Sequence, residues 1–259
     1  MPRTRKNTPA AAEGASGDAP ARTLVILPTF NERLNLEAIA GGVRGQGCDV
    51  LVVDDNSPDG TGEVADSLAR ADPGVHVLHR SGKLGLGTAY IAGLQHGVRN
   101  GYDLLVTMDA DGSHNPAHLP ALIAAARRTR GVAIGSRYIP GGAIVGWKRH
   151  RLALSWTANT YARTILGIRV HDCTSGYRCY PRTVIERVDL DRIVADGYAF
   201  LIEMLYICLN LPSPVTEVPI RFEDRLAGRS KVSSSEIVKS VALVPRLRLR
   251  GRRAMPRAR

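Results

Sequence analysis

Two carboxylates separated by one alanine, Asp109 and Asp111, close the apolar run Leu104, Leu105, Val106, Thr107 and Met108. The run has the length of a strand. A strand turns successive side chains to opposite faces, so both acids are expected to start on the same side where strand gives way to loop. Hard oxygen donors held this way suit Mg2+ or Mn2+, which keep coordination positions open for substrate phosphates. Asp111, Gly112 and Ser113 also have the chemistry of a solvated turn, and the pair by itself supports both readings.

Two further runs end in acids. Val50, Leu51, Val52 and Val53 lead into Asp54, Asp55, Asn56, Ser57, Pro58, Asp59, Gly60 and Thr61, and Thr23, Leu24, Val25, Ile26 and Leu27 lead into Pro28, Thr29, Phe30, Asn31 and Glu32. Helical patterns separate them: 34–43, with Leu34, Leu36, Ile39 and Val43 toward one face, and about 62–71, capped by Thr61. Short apolar strands alternating with helices are the pattern of βαβ units and a mostly parallel α/β sheet. Ligands of such sheets sit outside the carboxyl ends of the strands, so the three acidic clusters are expected to share one crevice.

The downstream elements follow the same logic. A short strand at 76–78 precedes Arg80, Ser81, Gly82, Lys83, Leu84, Gly85, Leu86 and Gly87, a glycine-rich loop opening a helix to about 100. Walker spacing is absent, so the glycines read as a structural turn and Lys83 as the residue with functional promise. Asn115 and Pro116 supply a cap and a first-turn proline for a helix to about 129. A strand at 132–135 ends in Ser136, Arg137 and Tyr138, and a long helix over 147–166 starts with the basic cluster Lys148, Arg149, His150 and Arg151. A helix over 198–209, a strand over 215–222 and an amphipathic segment opened by the capping box Ser233 to Glu236 complete the chain. Several polar residues carry two readings each. Glu32 is a helix-starting acid or a nucleotide ligand; Asp172 is acidic machinery or a turn cap; Arg151 is solvated surface or a ligand; Glu203, on an apolar helix, is a structural ion-pair partner or a site residue. His114 reads as a helix-start residue.

Composition bounds the classes. The 259 residues suffice for one α/β domain with decoration, and 44% hydrophobic content is ordinary for a globular chain. An aromatic content of 5% disfavours stacking platforms for single-stranded nucleic acid. The net charge of +11 sits in the ends: 246–259 hold seven arginines and no acid, and 1–22 hold Arg3, Arg5, Lys6 and Arg22 against Glu13 and Asp18. The body is close to neutral, so a nucleic-acid-binding module is not the reading. The first 22 residues have a disordered composition without the apolar core of a signal peptide, and no run reaches membrane-span length. Cys48, Cys173, Cys179 and Cys208 lack metal-type pairing and are expected as reduced thiols.

In this order the landmarks resemble the polyprenol-phosphate (dolichol-phosphate) mannose synthases of glycosyltransferase family 2, over roughly 22–245. The carriers are residues 28–32, 53–61, 83–90, 108–111, 135–138, 174–178 and Asp224 with Arg225 through Ser230 and Lys231. The resemblance implies a GT-A fold, an α/β nucleotide-sugar-binding domain spanning 23–232. It implies inverting transfer of mannose from GDP-mannose to a polyprenyl phosphate with Mg2+ or Mn2+. By position, Pro28, Thr29, Glu32, Asp54, Asp55 and Lys83 belong to the nucleotide-sugar pocket, Asp55 as the better nucleoside ligand and Asp54 as an orienting partner. Asp109, Asp111 and Ser113 become the metal set. Arg137, Arg151 and Ser155 receive the acceptor phosphate, with Asp111, Arg137 and Arg151 central to catalysis. Arg225 and Lys231 become loop cations over the donor.

Two departures stand out. Ser113 replaces the glutamine that some relatives carry as a further metal ligand, and arginines follow the segment 233–245 where many relatives continue into transmembrane helices. The resemblance therefore implies a cytoplasmic protein, peripheral on the anionic membrane face, working alone or with a separate membrane-anchoring subunit. The 233–245 segment has two readings: an interfacial anchor followed by the arginine tail 246–259, or a helix packed on the body. The chemistry agrees with the residues. A phosphate monoester, with a second pKa of about 6, is already anionic near neutral pH. It needs positioning by arginine forks rather than a general base. A family-2 transferase using UDP-glucose or another donor, and a non-catalytic sugar-nucleotide-binding subunit, are the competing readings.

Overall fold

A computed structural model describes residues 21–193, 195, 197–224 and 234–250. The chain runs β1 (Thr23–Thr29), α1 (Arg33–Arg44), β2 (Asp49–Asp54), α2 (Thr61–Ala71), β3 (Val75–His79), α3 (Leu86–Arg99), β4 (Leu104–Thr107), α4 (Leu119–Thr129), β5 (Val132–Ser136), β6 (Ala143–Val145), α5 (Arg149–Leu166), β7 (Arg178–Pro181), α6 (Arg182–Ile185), α7 (Gly197–Leu209), β8 (Val215–Pro219), β9 (Arg221–Glu223) and α8 (Ser234–Arg250). Seven strands form one sheet in the order β3-β2-β1-β4-β7-β5-β8, parallel except for β7. A two-stranded parallel sheet pairs β6 with β9.

Period-two burial explains the layers. In β1, Leu24 and Ile26 face a core shared with α3, α5, α7 and α8, whereas Val25 and Leu27 face a core shared with α1, α2 and α4. All four are fully buried, as expected for strands covered on both faces. The α3 layer approaches the sheet closely: a Cβ at Gly93 would come within 2.3 Å of the Ile26 side chain, and one at Gly97 within 2.2 Å of Leu105. In α1 the inward stripe is Leu36, Ile39, Ala40 and Val43; Leu34 points outward at 84% exposure, since two residues of helix place it opposite Leu36.

Three expectations are corrected. The stretch 215–222 is not one strand: Ile220 donates its N–H to Ser136 O at 3.0 Å and accepts from Ala143 N at 3.0 Å, carrying the chain from the main sheet into the small one. Strand β4 ends at Thr107, so Asp109 and Asp111 stand in the loop beyond it and strand parity does not orient them. Thr61 is the first residue of α2 rather than its cap, which is Gly60 in a left-handed conformation at φ 91°.

At its C-terminal end the amphipathic helix packs on the body. Helix α8 continues to Arg250, with Val244 and Leu247 buried in the α3/α5/α7 core. Pro245 lies inside it and cannot donate to the carbonyl of Val241. The Tyr161 hydroxyl on α5 supplies the missing donor to Val241 O at 3.0 Å. Among the described residues no helix is long and apolar enough to cross a membrane. The four cysteines are buried free thiols.

Candidate active site

Register brings the acidic loops together. Thr29 pairs with Asp54 across β1 and β2, and Ile26 pairs with Thr107 across β1 and β4, so the three loops open side by side at the carboxyl edge. Each acid there is held by donors its own neighbourhood provides. Asp54 accepts the Thr29 hydroxyl (2.9 Å), the Ser57 hydroxyl (2.6 Å) and the Ser57 N–H (3.0 Å). Asp55 pairs with Arg80 at 2.6 Å and accepts the N–H groups of Leu84 (3.0 Å) and Gly85 (3.2 Å). Asp55 thereby fastens the glycine-rich loop to the end of β2, and Arg80 extends the brace to the Thr88 hydroxyl at 2.6 Å. Glu32 accepts the Asn35 amide at 2.9 Å, and its own N–H donates to the Thr61 hydroxyl at 3.0 Å. Lys83 places its ammonium 4.6 Å from the centre of the Phe30 ring, within cation–π range. Pro28 ends the run in β1, opposite Val53.

The Asp109–Asp111 loop is constrained at both acids. Asp111 accepts the Ser113 N–H at 3.0 Å and the Ser113 hydroxyl at 2.5 Å. Asp109 accepts the Tyr90 hydroxyl at 2.7 Å and donates its N–H to His114 Nδ1 at 3.0 Å. His114 is therefore more than a helix-start residue. Its ring is buried against Tyr177 and Phe222, with centroids at 5.0 and 5.3 Å, and burial lowers its pKa, which suits the acceptor role of Nδ1. Two carboxylates and a hydroxyl are a hard-oxygen set that fits Mg2+ or Mn2+. Among the described residues no cluster of three or more His, Cys, Asp or Glu groups is present, so an ion here would complete its shell from substrate oxygens and water.

The basic side of the crevice follows β5. Arg137 is buried and makes a two-point contact with Asp172, Nε to Oδ2 and Nη2 to Oδ1 at 2.7 Å each; Nη2 also donates to Thr174 Oγ1 at 2.8 Å. Burial would raise the Asp172 carboxyl, but the Arg137 charge and its hydrogen bonds outweigh it and hold the pKa below the ordinary value. Glu217 of β8 steadies this turn by accepting the N–H groups of His171 (2.9 Å) and Asp172 (3.0 Å). Asp172 is thus the counter-ion of Arg137. The guanidinium lies 5.2 Å from the Phe222 ring and 5.6 Å from the Trp147 ring. Arg151 lies over the same indole at 3.9 Å and pairs with Asp224 at 2.9 Å. Ser155, one turn farther along α5, accepts the Tyr138 hydroxyl at 2.7 Å. The structure therefore gathers Arg137, Arg151 and Ser155 around Trp147 and Tyr138, and joins that group to the acids through Phe222 and His114.

Arg225 and Lys231 lie outside the described residues. Glu203 is buried on α7, accepts Ala195 N–H at 3.1 Å and lies 3.9 Å from Arg250. Sequence reasoning missed Arg80, Trp147, Tyr90 and the scaffold role of Arg178. That last side chain is fully buried and donates to the carbonyls of Ser175, Leu201 and Cys173, fixing the 173–178 turn below Arg137. A basic residue inside the motif was its visible signal.

The match to a protein-family model decides the assignment: "Glycosyl transferase family 2" covers residues 24–189. The chain is a family 2 glycosyl transferase. Over 256 residues it is 49% identical to polyprenol monophosphomannose synthase of Mycolicibacterium smegmatis, an alignment spanning 95% of this chain and 96% of that one. It is 47% identical over 233 residues to undecaprenyl-phosphate mannosyltransferase of Micrococcus luteus, spanning 89% and 96%. The expected kinship with the polyprenol-phosphate mannose synthases is borne out. A solved structure of glucosyl-3-phosphoglycerate synthase from Mycobacterium tuberculosis with Mn2+, UDP-glucose and phosphoglyceric acid aligns with TM-score 0.63 at 20% identity, covering 92% of this chain and 81% of that one. That likeness establishes the GT-A type fold of this family 2 transferase.

Proposed function

We propose that this enzyme transfers mannose from GDP-mannose to the phosphate of a polyprenyl (dolichyl) monophosphate, with inversion and with Mg2+ or Mn2+ as cofactor. The names of the two relatives at 47–49% identity support mannosyl transfer to a polyprenyl phosphate. The observation that carries the mechanism is the Arg137 guanidinium, oriented by Asp172 and linked through Phe222 and His114 to the Asp109–Asp111 loop.

A phosphoryl oxygen of the acceptor, already anionic, attacks the anomeric carbon of the sugar as the bond to the diphosphate oxygen breaks and GDP departs with the bonding electrons. Arg137, Arg151 and Ser155 hold and orient the acceptor phosphate. Pro28, Thr29, Glu32, Asp54, Asp55 and Lys83 serve the nucleotide sugar, and Arg225 and Lys231 are further cations for the donor. Asp109, Asp111 and the Ser113 hydroxyl would hold a divalent ion, which would supply positive charge beside the departing diphosphate. The acceptor is a lipid, and α5 exposes Leu154, Trp156 and Ile165 while Arg246, Arg248 and Arg250 are exposed on α8. These surfaces support peripheral binding to an anionic cytoplasmic membrane face, alone or through an anchoring subunit.

A panel of radiolabelled GDP- and UDP-sugars, each with polyprenyl phosphate in detergent or vesicles and a divalent cation, tests the reading. GDP-mannose is expected to give lipid-linked mannose far above every other donor. Preferential use of UDP-glucose would overturn the donor assignment, and no transfer from any donor by folded protein would overturn the activity.

A further inference from the structure

Asp109 and Asp111 lie on a loop beyond the end of β4, so the strand does not aim their carboxylates. Asp111 is aimed by Ser113, its near neighbour in sequence. Asp109 relies on a side chain nineteen positions upstream. Tyr90 is fully buried on α3, its ring stacked against Phe200 of α7 with centroids 6.0 Å apart and planes 20° apart, and its hydroxyl donates to Asp109 Oδ1 at 2.7 Å.

The surroundings are shaped around that bond. A Cβ at Gly176 would lie 3.3 Å from Asp109 Oδ1 and 3.4 Å from the Tyr90 hydroxyl, so only glycine leaves the pair uncrowded. Gly176 is itself fixed, because its carbonyl accepts the Thr107 hydroxyl at 2.7 Å. At the other end of the tyrosine's support, a Cβ at Gly87 would lie 3.0 Å from Phe200 Cβ and from Ala195 O, so α3 and α7 meet only because that position is glycine.

From this geometry we propose that Tyr90 is a positioning residue for the divalent ion, holding one oxygen of Asp109 so that the carboxylate meets the ion already oriented. The inference rests on the metal reading of Asp109 and Asp111. A carboxylate anchored through one oxygen loses rotational freedom before the ion arrives, which lowers the entropy lost on binding. A hydrogen bond to a charged group is strong enough that its removal is expected to weaken the ion's affinity by roughly tenfold or more.

Tyr90→Phe removes the oxygen and retains the ring that stacks on Phe200. Mn2+ binding to the full chain, titrated by electron paramagnetic resonance with and without GDP, is compared in wild type, Tyr90→Phe and Asp111→Asn. The expected result is Mn2+ affinity roughly tenfold weaker in Tyr90→Phe, a matching rise in the Mn2+ concentration giving half-maximal activity, and turnover recovered to within about twofold at saturating Mn2+. Should Tyr90→Phe fail to fold, Gly176→Ala carries the same test by crowding the bond while leaving the hydroxyl in place. Tight Mn2+ binding that the substitution leaves unchanged overturns the role of Tyr90 alone. Wild-type protein that holds no Mn2+ with or without GDP overturns the metal reading and this inference together.

Discussion

Along the carboxyl ends of β1, β2 and β4, the carboxylates of Asp54, Asp55, Asp109 and Asp111 each accept a hydrogen bond from a neighbouring strand, loop or helix, whereas the two arginines opposite them are held very unequally. Arg137 is buried and gripped at two points by a fully buried carboxylate; Arg151, with 31% of its side chain exposed, has one contact to Asp224 at the rim. Both flank Trp147. The acidic half is preorganised throughout. The basic half grades from a fixed interior cation to an adjustable outer one, the arrangement expected where a compact nucleotide binds on one side and a bulky lipid arrives from the other.

Asp172→Asn should break the contrast most severely. Removing one partner of a buried ion pair typically costs about 3–5 kcal/mol, so a large drop in chemical-denaturation midpoint is expected, together with loss of acceptor use. The pH dependence has a definite sign. The folded carboxyl sits below its ordinary pKa, so the stability it contributes is present above about pH 4 and is lost as acid lowers the pH through the folded value. Wild type should show this acid limb and the variant should show less of it. An Asp172→Asn protein as stable as wild type would mean that Arg137 is not fixed in the way described.

Arg80→Ala tests the acidic half. Arg80 and Asp55 are both nearly buried, and without the guanidinium Asp55 keeps only its two backbone donors from the glycine-rich loop. A loss of about 1–3 kcal/mol in stability and a raised KM for the sugar nucleotide, with acceptor KM little changed, are expected in steady-state kinetics. The smallest structural effect belongs to Arg151→Ala. An exposed pair contributes less than about 1 kcal/mol, so thermal stability should barely move while acceptor KM rises several-fold and becomes less salt-sensitive. Equal destabilisation by Arg151→Ala and Asp172→Asn would erase the distinction between the two arginines.

What could be read from the chain depended on how far apart the partners lie. The runs that became β1, β2 and β4 are apolar over their whole length, as doubly covered strands must be, and their acidic endings were visible beside them. Strand β7 was not, because four residues with Arg178 facing the core do not look like an apolar run. Asp54 was read as an orienting or structural partner, and Ser57, which donates to it, is only three residues away. Asp55 looked like the freer ligand because Arg80, its counter-ion, is 25 residues downstream. Asp172 could be read in two ways, since Arg137 stands 35 residues before it. The apolar period of α8 was legible, but that Val244 and Leu247 are the residues buried in the core, and that Tyr161 compensates for Pro245, are facts of tertiary contact.

The central claim is that the Asp109–Asp111 loop holds a divalent ion that carries the charge of the departing diphosphate. Asp111→Asn tests it most directly, with GDP-mannose turnover on polyprenyl phosphate measured across a Mn2+ titration in protein shown to be folded by circular dichroism. The account predicts turnover lower by roughly 10²–10³-fold or more, with Mn2+ affinity reduced in parallel. Turnover and cation dependence equal to wild type would contradict it.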